Sequence, residues 1–64
     1  MIVQNFTANG YRLCIEYVGL YQSVSYVVWC KAPSGQIKVI YRGDDAEYAE
    51  ALFQQWMADM KVDI

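Results

Sequence analysis

Histidine is absent from the chain. That removes the commonest general base, the usual zinc ligand and the imidazole of ordinary hydrolytic triads. Two cysteines cannot fill a four-ligand structural zinc site unless carboxylates supply the rest. No apolar run approaches the ~20 residues needed to cross a bilayer, and the N-terminus shows no basic-then-apolar signal pattern. The chain therefore reads as cytoplasmic, where thiols stay reduced, and the Asn5-Phe6-Thr7 sequon carries no weight. Glycine is scarce, with four residues, all at turns or strand ends, so no phosphate-cradling loop is present. Basic residues number five against seven acidic ones, for a net charge of −2 and a pI near 4.7. That balance argues against a simple polycation for nucleic acid.

What the chain has in abundance is apolar and aromatic side chains. Of its 64 residues, 56% belong to the hydrophobic set and 16% are aromatic, with six tyrosines and two tryptophans. A chain this short needs such a rich core, because ordering each residue costs about 1.5 kcal/mol. Disorder is excluded on composition.

Turn chemistry divides the chain. Asn9-Gly10 is a strong hairpin signal, since a type I′ turn needs positive φ at both central residues. Gly19–Gln22 makes a looser break. In Ala32-Pro33-Ser34-Gly35, proline presets φ and glycine can take the left-handed position. Strands are expected over about residues 1–7, 11–18, 23–31 and 36–42, and a helix over about 44–60, in a single domain spanning 1–64.

Alternation then assigns faces. Tyr11, Leu13, Ile15 and Tyr17 share an inner face with Val24, Tyr26, Val28 and Cys30, and with Ile37, Val39 and Tyr41. Ile2, Phe6 and Ala8 join them, with Gln4 as a misfit. Pairing across the turns sets Tyr17 opposite Val24, Ile15 opposite Tyr26, Val28 opposite Val39 and Tyr26 opposite Tyr41. Cys14 and Cys30 then fall on opposite faces and should not bridge.

The helix is expected to begin at Asp44, with Glu47 completing a variant capping box. Asp45 and Glu47 suit the positive end of the helix dipole. The acidic cluster Asp44, Asp45, Glu47 and Glu50 reads as a capped, solvated helix start, not as a cation or acid–base site. Ala49, Leu52, Phe53, Trp56 and Met60 recur at helical spacing and form the buried stripe. The expected fold is α+β, a four-stranded antiparallel β-meander of order 1-2-3-4 with one C-terminal amphipathic helix packed on one face.

The outer face carries the candidate site. Arg12, Lys31, Lys38 and Arg42 are assigned there, against Glu16 alone among the acids. The expected rows are Arg12–Trp29–Lys38, Cys14–Val27–Ile40 and Glu16–Ser25–Arg42. Trp29 would lie between cations, a cation–π arrangement, beside an apolar row that water does not favour. Covering of Trp29 by Arg and Lys stems is the plainer account of the same charges.

The meander followed by Gly43-Asp44-Asp45-Ala46-Glu47-Tyr48-Ala49-Glu50-Ala51 and an amphipathic helix resembles, over about residues 11–60, the layout of AP2/integrase-type DNA-binding domains. The resemblance implies DNA reading by Arg and Trp on the outer sheet face. It is one of layout, and the first strand and the acidic balance stand outside it.

The residues together lead to a non-enzymatic protein-interaction module, homodimeric or bound to a protein partner, with no cofactor, metal or membrane. Arg12, Cys14, Val27, Trp29, Lys38, Ile40 and Arg42 are its candidate contact residues. The alternative is a weak nucleic-acid or anionic-ligand binder using Arg12, Trp29, Lys38 and Arg42.

Overall fold

The computed structural model describes residues 2–20 and 23–62. Strands β1 (Ile2–Ala8), β2 (Tyr11–Leu20), β3 (Ser23–Lys31) and β4 (Ile37–Gly43) are followed by helix α1 (Ala46–Val62). All neighbouring strands are antiparallel and the sheet order is β1-β2-β3-β4. The helix packs chiefly over β2 and β3 and leaves the opposite sheet face bare of any second layer among the described residues.

The first turn is the expected type I′ hairpin. Asn9 and Gly10 have φ of 53° and 82°, and Ala8 pairs with Tyr11. A Cβ at Gly10 would stand 3.0 Å from the Pro33 ring, so this turn and the β3–β4 turn meet at one end of the sheet.

The break expected across Gly19–Gln22 is tighter than its sequence suggests. Gly19 and Leu20 belong to β2, Leu20 pairs with Ser23, and residues 21 and 22 lie outside the described residues. Tyr17 therefore faces Tyr26 and Ile15 faces Val28. The expected pairing is displaced by two residues, and an even displacement keeps every side chain on its face.

The β3–β4 connection differs more consequentially. Gly35 N–H donates to Ala32 O at 2.9 Å and Ala32 N–H to Gln36 O at 2.8 Å, with Gly35 at φ 94°. These bonds set Lys31 opposite Ile37, Cys30 opposite Lys38 and Trp29 opposite Val39. Kept up along the strand, that phase would carry Tyr41 away from the core. A bulge at Ile40 restores it, so that Val28 faces Tyr41 and Val27 faces Arg42. The turn dictates one phase, the core dictates another, and the extra residue reconciles them.

A second bulge lies in β1, where Ile2 pairs with Glu16 but Gln4 with Ile15. Ile2 is thereby turned to the outer face, contrary to the inward assignment, and is 42% exposed. Gln4 stays inward for a reason invisible in its strand. Its Nε2 donates to Glu50 Oε1 at 3.3 Å, and the same oxygen accepts from Gln54 Nε2 at 3.2 Å. Gln4 Oε1 is buried with no hydrogen-bond partner among the described residues.

The core consists of Leu13, Ile15 and Val28 from the sheet and Ala49 and Phe53 from the helix, all nearly solvent-free. Phe6, Tyr26, Cys30, Ile40, Tyr41, Trp56, Met57 and Met60 pack around them. Met57 was not anticipated, and Leu52 is only half-buried. The helix cap sits one residue later than expected. Asp45 Oδ1, not Asp44, accepts the Tyr48 N–H at 3.0 Å. The Asp45 N–H, which a capping-box glutamate would otherwise accept, donates to Tyr41 Oη at 3.2 Å. That hydroxyl ties the helix start to β4, and the Tyr41 and Tyr48 rings meet edge to face at 4.9 Å.

Candidate functional site

The outer face has a hydrogen-bonded centre. Trp29 lies opposite Cys14 across the β2–β3 ladder. Its indole N–H donates to Glu16 Oε1 at 3.0 Å, and the Arg12 guanidinium lies 5.8 Å from its ring centroid, within cation–π range. Arg12 and Glu16 flank Cys14 on β2, so the indole is contacted from both neighbours of the residue opposite it. Cys14 is fully buried and Val27 is 8% exposed, although no second layer covers this face among the described residues. Neighbouring side chains must therefore exclude the water. Burial pushes the Cys14 thiol up from its ordinary 9.0, with Arg12 opposing the shift and Glu16 adding to it. Burial and the upward shift together make it a packed, weakly reactive thiol.

The observed rows are Arg12–Lys31–Ile37, Cys14–Trp29–Val39 and Glu16–Val27–Arg42. Arg12, Trp29 and Arg42 stand on the outer face as expected. Cys14 and Val27 are on that face too, but beneath the surface. Lys38 and Ile40 are corrections. Lys38 pairs with Cys30 and turns toward the helix, its Nζ 5.9 Å from the Trp56 ring centroid. Ile40 packs on the core. The half-turn of phase imposed by the Pro33 connection causes both changes.

The same phase change brings out two residues that alternation had placed inside. Ile37 and Val39 are 57% and 54% exposed and lie on the outer face beside Lys31 and Trp29. The signal that would have found them is the short Pro33-Ser34-Gly35 connection, whose length fixes the register. Val18, on the same face, is also exposed.

Cys30 pairs with Leu13 on the helix side. Both cysteines are free, in keeping with their opposite faces. Among the described residues no group of carboxylates and thiols is placed to hold a metal ion, and no helix is long and apolar enough to cross a membrane. Comparison of the chain with protein-family models, with curated proteins and with solved structures finds no match.

Proposed function

We propose that the protein is a non-enzymatic interaction module that docks a protein partner on its outer sheet face. One observation carries this reading: Ile37 and Val39 are more than half exposed beside Lys31 and Trp29, on a face that no other element covers among the described residues. Apolar groups held in contact with water on a rigid sheet are the ordinary raw material of an interface core. Tryptophan and arginine are the side chains most often dominant there.

The rim indicates the partner's chemistry. Arg12, Lys31 and Arg42 are exposed around the apolar patch, while Glu16, the one acid paired among them, is already engaged by the indole. A complementary surface therefore offers an apolar centre and acidic margins. A homodimer closed face to face on a twofold axis would bring these cations toward one another. A distinct, acidic-rimmed partner is favoured on that ground. The nucleic-acid alternative keeps one cation fewer on this face, because Lys38 lies on the other.

Capture from the native host should be run in parallel with the unaltered chain, Val39→Glu and the helix-side variant Lys38→Gln. The reading requires a protein retained by the first and third and lost with Val39→Glu, with affinity for the purified partner falling roughly a hundredfold. Sedimentation of the isolated chain tests the homodimeric form. Undiminished capture by Val39→Glu would end the proposal.

A further inference from the structure

The helix-side face holds a feature that the outer-face reading does not use. Two adjoining cavities of about 330 and 390 Å³ share Tyr11, Cys30 and Trp56 as lining. Together they form a groove between the C-terminal half of α1 and the end of the sheet where the two turns meet. The volumes suit a small ligand, and the composition is the usual one: apolar and aromatic walls with a few polar groups.

The polar groups are segregated. Lys38 and Gln36 line the cavity on the β4 side, and Asp59 lines the one on the helix side. Lys38 owes its place to the turn-set phase of β4, and its ammonium stands 5.9 Å from the Trp56 centroid. An inward lysine on an edge strand also discourages strand addition, but that role asks nothing of the aromatic walls. Tyr11 is 43% exposed although it pairs on the inner face, so part of the wall is open to solvent. Between the walls lies the half-buried Cys30 thiol, which burial shifts upward.

We propose that this groove is a binding site for a small planar aromatic carboxylate. Its ring lies along Tyr11, Cys30 and Trp56. The carboxylate meets Lys38, with the Gln36 amide beside it, and a hydrogen-bond donor on the far side of the ring points to Asp59. The carboxylate at Asp59 repels the reverse orientation, so the site reads both charge and direction.

Indole-3-acetate has this pattern, with a carboxylate at one end and an indole N–H at the other. Tryptamine keeps the ring and reverses the charge, and acetate keeps the charge without the ring. NMR titration of the isotope-labelled full chain with each probe tests the assignment. Indole-3-acetate should give saturable shifts at Tyr11, Gln36, Lys38 and the Trp56 indole and leave Trp29 and Val39 unmoved. Tryptamine and acetate should not saturate over the same range. Lys38→Gln, at an exposed position where the fold is not at risk, should weaken indole-3-acetate roughly tenfold by removing a charge-assisted contact. No saturable shift, equal binding of tryptamine, unaltered affinity in Lys38→Gln or shifts centred on Trp29 would each overturn the proposal. The groove and the docking face meet only at Ile37, which lines the β4-side cavity and is exposed at the sheet end. Val39 and Trp29 line neither cavity, so their response separates the two readings and either result leaves the other standing.

Discussion

The two faces of this sheet exclude water by different means. On the helix side Leu13, Ile15 and Val28 are sealed by Ala49 and Phe53, and apolar area alone suffices. On the outer side nothing larger than a side chain is available among the described residues, yet Cys14 is fully buried and Val27 nearly so. There the cover is a polar construction: an indole held at its N–H by Glu16 and at its face by Arg12. It shelters the centre of the sheet and stops short of β4, where Ile37 and Val39 remain in water. The first face makes the fold, and the second leaves apolar surface in water, which is what the proposed docking reading rests on.

The contrast can be sharpened by substitution. Phe53→Ala should have the largest effect, about 3–5 kcal/mol, because it opens a cavity between the two layers. For a chain of this size such a loss removes most of the stability, and urea denaturation should show it as a collapsed transition. Trp29→Ala should cost less, about 1–3 kcal/mol, by admitting water above Cys14 and Val27. If it cost as much as Phe53→Ala, the outer cover would be a second core and the contrast would dissolve. Asp45→Ala should cost about 1 kcal/mol through the lost cap, whereas Asp44→Ala should stay within about 0.5 kcal/mol.

The thiols supply a smaller effect with a defined sign. Burial raises both Cys14 and Cys30 above their ordinary 9.0, so each folded thiol stays neutral where the unfolded one would ionise. Their contribution to stability is whole below 9.0 and is lost as pH rises past it toward the folded value. Stability of the unaltered chain should therefore fall more steeply above that pH than stability of Cys14→Ala. In the native state an alkylating reagent should reach half-buried Cys30 before Cys14.

How far the residues alone could carry the fold depended on position in the sheet. In the central β2–β3 pair the alternation assigned every face correctly, even with the pairing displaced by two, because a two-residue slip preserves side-chain direction. On the edge strands it failed locally. Each edge strand carries a bulge, and period-two reading has no term for an extra residue. Ile2, Lys38 and Ile40 were misplaced for that reason, and Ile37 and Val39 were hidden in the presumed core. Gln4 looked like a misfit because its partner Glu50 lies 46 residues away. The Asp45 cap was one residue off because Tyr41, a strand residue, satisfies the N–H that a capping-box glutamate would have taken. Bulges of this kind also interrupt the hydrogen-bonding rows that an added strand would need.

The most direct test of the division between the faces is urea denaturation of Val39→Glu. With Val39 exposed on the outer face, the variant should unfold cooperatively with a stability within about 0.5 kcal/mol of the unaltered chain, while the capture that the proposed docking reading requires is lost. If simple alternation held and Val39 pointed at the helix, the same substitution would bury an unpaired carboxylate. A cost of several kcal/mol would then contradict the bulge, the exposed patch and the docking surface together.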